Sequence, residues 1–220
     1  MNVKLIRYTP DADELCGRAA AKCYNGKDPM RSLSHAMHGG HLSVAEHASF
    51  TFEIDGLSRV ALAQLTRHRI ASFSVESQRY CGATHRPVVL PDSFKKKGYV
   101  GSLDAALYEL EELYDSMIKD GIPKEDARMI LPQGISTSLI MTMNARELLH
   151  FFALRTCNRA QWEIRQLADE MLKECKKAAP VLFESAGCGC VNGHCPEGRR
   201  SCGKPRKASE WEEHSNYPCE

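Results

Sequence analysis

The 220-residue sequence lacks an excess of charge, a long apolar run and any CxxC pair of cysteines. Its 29 Lys and Arg residues against 28 Asp and Glu give a formal net charge of +1, which excludes the broadly basic surface typical of nucleic-acid-binding proteins. Any anion site must therefore be local. No apolar run is long enough to cross a bilayer, and residues 1–8 lack the apolar segment of a signal peptide. We expect a cytoplasmic protein that binds neither nucleic acid nor membrane.

The order of apolar patterns and turn signals predicts a single α+β domain. A length of 220 residues with 43% hydrophobic and 26% charged residues is typical of one soluble core. Strands and helices follow one another without a regular βαβ rhythm, which favours an antiparallel or mixed sheet packed with helices over a doubly wound sheet. The predicted strands are residues 2–8, 49–55 and 135–143, and the predicted helices are residues 9–24, 29–38, 58–65, 102–120, 123–131, 145–156 and 160–178. We expect residues 81–101 to be mostly loop.

Short polar residues mark the predicted starts of the helices. The predicted N-caps are Thr9, Asp28, Ser43, Ser58 and Asn144. Two of these are followed three residues later by a glutamate, Glu46 or Glu147, at the spacing of a capping box. Asp55-Gly56 predicts a turn after the second strand.

The most polar stretch of the chain is residues 67–80, here called the Arg-rich segment. It contains three arginines, a histidine, three serines, a glutamate and a glutamine, and it follows a helix on which Gln64 and Arg67 share a face. Guanidinium groups match phosphate oxygens in pairs, and hydroxyls and amides fill the remaining positions. Binding sites are commonly formed by polar groups at the end of a helix and in the loop that follows it. The alternative for this segment is a solvated basic turn.

A second polar group begins at Asn144, where Arg146 and His150 lie four residues apart and so share a helical face. The cap at Asn144 would leave backbone N–H groups facing an anion, although an ordinary capped surface helix has the same sequence pattern. Arg128 and Arg155 lie within apolar runs, where a charge needs an anionic partner. That partner is either a ligand or a structural Asp or Glu.

Four segments, in this order along the chain, resemble those of the flavin-dependent thymidylate synthases. The Arg-rich segment follows that family's pattern RHRxxSxxxxSxR, and the other three segments are residues 40–47, 126–132 and 144–155. The resemblance covers about residues 35–185. Four ordered segments are far more specific than one short motif.

The resemblance implies an enzyme that methylates dUMP to dTMP. The carbon would come from 5,10-methylenetetrahydrofolate, the hydride would pass through FAD, and NADPH would reduce the flavin. It further implies a homotetramer whose active sites draw residues from several subunits. Both FAD and dUMP carry phosphates, which agrees with many arginines in a nearly neutral chain.

The resemblance also assigns roles to residues. The residues assigned to the flavin are Ser43, Arg67, His68, Arg69, Asn144, Arg146 and His150. Those assigned to the nucleotide are Gln64, Arg67, Ser77, Gln78, Arg79, Arg128 and Arg155. Arg155 aligns with the arginine that promotes ionisation at the uracil ring nitrogen, and Ser77 occupies the position once proposed as a nucleophile; both are catalytic candidates. No metal ligand is assigned.

The chain departs from the family pattern at four positions. Ser74 replaces an asparagine, Val75 replaces a residue that is often acidic, and Glu76 follows one place later. Arg159 stands where the family has a histidine. Contacts at residues 74–76 therefore cannot be assigned from the resemblance.

Ten cysteines are present, and five of them crowd the segment after Ser185. The five in the main body, Cys16, Cys23, Cys81, Cys157 and Cys175, are predicted to be small buried residues. We expect residues 1–185 to form the domain and residues 186–220 to form a Cys-rich extension. Cys188, Cys190, Cys195 and Cys202, with His194, allow three interpretations: a zinc site, disulfides, or an extension that is flexible or docked on a subunit.

Two alternatives to the enzyme stay open at this level. The same arginines could serve a non-catalytic nucleotide- or phosphate-binding module. The tail could make the chain a zinc-dependent interaction protein.

Overall fold

A four-stranded antiparallel sheet forms the centre of the protein, in the order β1-β2-β4-β3. The computed structural model describes residues 1–82, 86–193 and 195–211. The strands are β1 Asn2–Tyr8, β2 Ser49–Ser58, β3 Ala71–Val75 and β4 Ser136–Asn144. The α-helices are α1 Ala12–Tyr24, α2 Pro29–His38, α3 Arg59–Leu65, α4 Asp92–Lys96, α5 Val100–Lys119, α6 Lys124–Ala127, α7 Ala145–Arg155 and α8 Trp162–Ala178. The predicted α+β class with a single packed domain is confirmed.

The hydrophobic core lies between the sheet and the helices that pack against it. Phe50, Phe52 and Ile54 alternate along β2 and are fully buried, as strand periodicity requires. Helix α8 faces them with a stripe of apolar side chains at helical spacing. The members of this stripe are Ile164, Leu167, Ala168, Met171, Leu172 and Cys175. No helix among the described residues is both long and apolar enough to cross a membrane.

Three of the predicted caps are confirmed. Asp28 accepts the N–H groups of Met30 and Arg31, Ser58 accepts that of Ala61, and Asn144 accepts that of Glu147. The same hydroxyl of Ser58 donates to buried Glu163 at 2.5 Å, and its backbone N–H donates to that carboxylate at 2.6 Å. Glu163 therefore ties the start of α3 to α8.

Three local predictions are wrong. The first helix begins after Asp11, not Thr9. Ser43 lies inside a 3-10 helix, Leu42–His47, instead of capping an α-helix. Gly56, at φ +76°, makes a bulge in β2 instead of a turn, because the chain continues as a strand to pair with β4.

The prediction that residues 81–101 are mostly loop holds for the described part of that segment, although it contains one short helix. Helix α4 lies within residues 81–101, and α5 begins at Val100. Of the five cysteines of the main body, Cys16 and Cys175 are buried as predicted and Cys157 is half-buried. Cys23 and Cys81 are exposed, so the prediction is wrong for those two.

The end of the described tail, from Arg206 to Trp211, packs against α8. Trp211 is buried and donates from its ring nitrogen to Asp169 at 2.8 Å. Arg206 donates to the same carboxylate at 2.7 Å, and its guanidinium lies 4.5 Å from the Trp211 ring centre. The guanidinium of Arg206 is thus held between a carboxylate and the face of an indole ring. The boundary at residue 185 remains a prediction, and His194, named with the tail cysteines as a possible zinc ligand, lies outside the described residues.

Candidate functional site

Three polar side chains form a chain of hydrogen bonds between the end of α3 and helix α7. His68 Nδ1 lies 2.9 Å from Glu147 Oε1, and Arg155 Nε donates to His68 Nε2 at 3.2 Å. His68 and Glu147 are both buried. Arg155 also donates from Nη2 to the backbone oxygen of Gln64 at 3.4 Å. The structure thus brings the Arg-rich segment and the second predicted group together.

Burial and charge define the state of this hydrogen-bonded group. Burial lowers the pKa of His68, the hydrogen bond that its ring donates to Glu147 opposes this, and the nearby charge of Arg155 lowers the pKa further. Burial also lowers the pKa of Arg155, with Arg67 as the second cause. An arginine remains a cation even so. An arginine can only donate, so Nε2 of His68 must be unprotonated, and the site holds a neutral histidine between a carboxylate and a guanidinium.

A cavity of about 660 Å³ opens beside this group. It lies between the Leu42–His47 helix and α7, and its lining includes Glu46, Asn144, Arg146, Glu147 and His150. Three of the residues assigned to the flavin are among these. Ser43 is exposed but does not line the cavity.

Two charged groups at the mouth of this cavity pair with each other. Arg146 forms an ion pair with Glu46, and about half of each side chain is exposed. An exposed pair of this kind is weak, so an anionic ligand could displace Glu46 from Arg146.

The start of α7 differs from the sequence prediction in one respect. Ala145 N–H donates to the Ala48 carbonyl at 2.8 Å, and Glu147 N–H donates to Asn144. These two groups are therefore not available to an anion, and the prediction of a free anion-facing helix end is wrong for them. The cation that α7 offers to the cavity is the side chain of Arg146.

The histidines beside Glu147 also resemble a metal site. Ligand atoms of His68, Glu147 and His150 lie within 4.8 Å of one another. However, the Nε2 lone pair of His68 accepts from Arg155, and a guanidinium at that position repels a metal cation. The group is better suited to orienting Arg155.

The middle of the Arg-rich segment is a strand, which the sequence analysis did not predict. Residues Ala71–Val75 form β3 and pair with β4, with Ser74 opposite Ile140 and Val75 opposite Leu139. The alternation of half-buried and exposed residues along this stretch was the available signal. A five-residue strand spans roughly 16 Å, so Arg67–Arg69 and Ser77–Arg79 lie at opposite ends of it.

The far end of β3 holds a second polar group. Arg79 forms an ion pair of 2.7 Å with Glu125, and Arg128 donates from Nε to the Glu125 carbonyl at 3.0 Å. Ser77 Oγ accepts the N–H of Arg79 at 3.2 Å. Four nucleotide-site candidates, Ser77, Gln78, Arg79 and Arg128, thus lie near one another and away from Arg155.

Glu76 organises the turn before this group. Its backbone oxygen accepts from Arg59 at 2.8 Å, and its carboxylate pairs with Arg86. Burial and the charges of Arg86 and Arg128 lower the pKa of Arg59. Glu76 is therefore a structural anion that holds a cluster of cations together.

Several functional candidates were missed by sequence reasoning. Their shared property is that each pairs with a residue 10 to 100 positions away in the sequence. They are Glu46, Arg59, Arg86, Glu125 and Glu147. Glu147 was assigned only a capping role, but its side chain turns to His68 instead. The available signal was an acidic residue three positions before His150 on one helical face.

Taken together, the geometry suits anions and the stabilisation of developing negative charge. A guanidinium held by a neutral imidazole and a backbone carbonyl keeps its remaining N–H groups for a ligand. Such a preorganised donor in a partly buried site stabilises charge more strongly than a donor in water. A cavity of 660 Å³ lies within the range of cofactor sites.

Known proteins show the same combination of fold and sequence. A family model described as thymidylate synthase complementing protein matches residues 4–181. The chain is 47% identical to a flavin-dependent thymidylate synthase of Geobacter sulfurreducens, over 93% of this chain and 94% of that protein. It is 44% identical to one of Pyrococcus abyssi, over 90% of each.

A solved structure has a similar fold. It is the UMP/dUMP methylase PolB from Streptomyces cacaoi bound with 5-Br dUMP. The two structures superpose with a TM-score of 0.73 at 26% identity, over 83% of this chain and 93% of that one.

Proposed function

We propose that this chain, which belongs to the flavin-dependent thymidylate synthase family, methylates dUMP to dTMP. The carbon comes from 5,10-methylenetetrahydrofolate and the reducing equivalents from NADPH through FAD. The observation that carries this proposal is the Glu147–His68–Arg155 hydrogen-bonded chain beside a cavity of cofactor size. Substrates of this kind place the enzyme in the cytoplasm.

The residues around the cavity fit a flavin nucleotide. Arg146 supplies a cation for phosphate once Glu46 is displaced, and Asn144 and His150 supply polar groups along the same wall. Ser43, Arg67, His68 and Arg69 complete the proposed set. FAD, when bound, supplies the hydride. The chain's own part is to bind, orient and exclude water.

Arg155 is the proposed catalytic residue. Its Nε and Nη2 groups are engaged by His68 and the Gln64 carbonyl, which leaves the N–H groups of Nη1 for the uracil ring. A fixed guanidinium there stabilises negative charge that develops on the ring nitrogen. Ser77 remains in the nucleotide set as a binding hydroxyl, because the chemistry needs no protein nucleophile.

The nucleotide set spans both ends of β3, and this separation supports shared active sites. Gln64, Arg67 and Arg155 lie at one end, while Ser77, Gln78, Arg79 and Arg128 lie at the other. We infer that each active site of a homotetramer takes its two halves from different subunits. Large apolar side chains at both ends are exposed in the single chain, namely Ile70, Tyr80 and Met129. These side chains give both ends of β3 apolar surface that a second subunit would cover.

The activity is tested by spectroscopy and by isotope release. The purified protein, supplied with FAD, should show flavin absorbance that NADPH bleaches. It should then release tritium from 5-tritiated dUMP only when methylenetetrahydrofolate is present. A protein that binds dUMP but takes up no flavin would instead be a non-catalytic nucleotide-binding module.

Sharing of sites is tested by mixing two inactive variants. Arg155→Ala and Arg79→Ala each damage one half of the site, so co-expressed chains should form mixed tetramers with some intact sites. Random assembly should restore about one quarter of the wild-type activity per site. No recovery would mean that one chain supplies both arginines to a site.

A further inference from the structure

Five cysteines converge where the tail meets the end of α7. Cys157 lies in the turn after that helix, and the other four come from the tail. Cys157, Cys190, Cys195 and Cys202 line one cavity of about 230 Å³. Cys157 is 31 residues or more from each of these tail cysteines in the sequence, so only the fold reveals that it joins them.

Backbone N–H groups point at three of these four sulfur atoms. Arg159 N–H donates to Cys157 Sγ at 3.5 Å, Lys204 N–H to Cys202 Sγ at 3.4 Å, and Arg206 N–H to Cys190 Sγ at 3.3 Å. Hydrogen bonds of this kind hold a sulfur atom in position to ligate a metal ion.

Two cations and one anion line the cavity with the four cysteines, namely Arg159, Lys204 and Glu197. Four thiolates around one divalent ion carry two net negative charges, and the excess cation offsets part of that charge. Asn158 donates to the Lys204 carbonyl at 2.9 Å, which holds the Cys157 turn beside the Cys202 turn.

The fifth cysteine, Cys188, lies next to one of these four. Cys188 is buried and does not line this cavity, and its Sγ lies 3.3 Å from that of Cys190. Either sulfur atom could be the donor in this contact. Cys188 is assigned as a positioning residue because it packs beside Cys190 and lies outside the four-cysteine cavity.

Between residues 189 and 205 the tail is held mainly by hydrogen bonds, such as that from Asn158 to the Lys204 carbonyl. None of the described residues between 189 and 205 is buried, and the regular elements there are two short 3-10 helices, Gly189–Asn192 and Gly198–Arg200. A segment without an apolar core usually needs a metal or a disulfide to keep one conformation. Disulfides are disfavoured in a reducing compartment.

We propose that Cys157, Cys190, Cys195 and Cys202 bind one structural Zn²⁺ ion that fastens the tail to the end of α7. Zinc with four sulfur ligands is tetrahedral, with Zn–S distances of about 2.3 Å. Among the described residues, no three of these sulfur atoms lie within 4.8 Å of one another, so binding draws the tail loop inward across the cavity. Because Cys157 is two residues after Arg155, the ion also fixes the end of the helix that carries this arginine.

Metal analysis tests the site without reference to flavin or turnover. The full chain, purified under reducing conditions without a metal-affinity column, should contain about one zinc per chain. Cys190→Ser and Cys202→Ser should lose it. Cys23→Ser removes an exposed thiol on α1 and should keep it.

Three results would overturn the proposal. One is wild-type protein without zinc even after growth in zinc-supplemented medium. Another is iron with acid-labile sulfide in place of zinc. The third is full zinc content in both serine variants of the tail. A serine variant that fails to fold does not block the test, because the wild-type metal content and mercurial-triggered zinc release are measured on the intact chain.

Discussion

Arg155 donates a hydrogen bond to Nε2 of His68, at 3.2 Å, from a position 87 residues later in the sequence. An arginine can only donate, so Nε2 must be the unprotonated ring nitrogen. The ring proton therefore lies on Nδ1, where it is donated to Glu147 at 2.9 Å. The tautomer of His68 is thus determined by its two partners, and a protonated His68 would lose the bond to Arg155.

Arg155→Ala should abolish dTMP formation while leaving flavin binding largely intact. Loss of a fixed donor to developing charge lowers kcat by about 100- to 1000-fold. The measurements are tritium release and FAD titration by fluorescence. Arg155→Lys keeps the charge without the fork geometry and should recover only part of the rate. Equal loss of flavin binding and rate would make Arg155 a structural or flavin-contacting residue instead.

Glu147→Ala should destabilise the protein by about 1–3 kcal/mol, because it leaves the buried His68 Nδ1–H without an acceptor. Glu147→Gln retains an acceptor and should lose less stability. Urea unfolding measures both variants. If Glu147→Gln lowers the rate of the wild-type protein but does not lower it further in the Arg155→Ala variant, Glu147 acts through Arg155. Equal stability of Glu147→Ala and wild type would contradict the burial argument.

Stability should fall with acid in a way that depends on His68. Its pKa is lowered in the folded state from the ordinary value of 6.5, so the unfolded chain binds the proton more readily. The contribution of neutral His68 to the unfolding free energy is therefore fully present above about pH 6.5. It is lost as the pH falls toward the lowered pKa of the folded state. Each unit of lowering corresponds to about 1.4 kcal/mol.

His68→Asn removes this titration and should flatten the pH profile of the unfolding free energy between pH 7 and 5. The variant at exposed His35, His35→Gln, is the matched control and should keep the wild-type slope. An unchanged slope in His68→Asn would mean that other groups cause the acid sensitivity.

Glu125→Gln should strengthen dUMP binding with little change in stability. Arg79 and Glu125 are both about half exposed, so their 2.7 Å pair contributes at most about 1 kcal/mol to folding. Removing the carboxylate charge frees Arg79 for a phosphate. The KM for dUMP should therefore fall. The control variant Glu14→Gln removes the charge of an exposed carboxylate on α1 and should leave the KM unchanged. A higher KM in Glu125→Gln would assign Glu125 to positioning Arg79.

Glu163→Ala should cost about 3 kcal/mol of unfolding free energy. The buried carboxylate accepts both the backbone N–H and the hydroxyl of Ser58, and its loss leaves these donors unsatisfied. Ser58→Ala removes only the hydroxyl and the cap on α3 and should cost about 1 kcal/mol. Unfolding in guanidinium chloride measures the loss of stability in each of the two variants. A larger effect of Ser58→Ala would show that the cap matters more than the link to α8.

Most elements were predictable because their signals are local. The caps at Asp28, Ser58 and Asn144 and the alternation in β2 involve neighbouring residues, and they are confirmed. The capping box at Ser43 and the turn at Gly56 were wrong because pairing and packing override local preference there. Strand β3 was missed because its polar residues indicated a ligand loop.

The sequence by itself determined which chemical groups the protein carries: arginines for phosphates, one histidine next to them, and cysteines crowded near the end. Their order identified the family. The tertiary structure decided which of them meet. Glu147 and Cys157 found partners only because α7 packs against the end of α3 and against the tail, and β3 holds the two ends of the Arg-rich segment apart. Such contacts join residues tens of positions apart, and their free energy depends on burial and geometry that no local pattern contains.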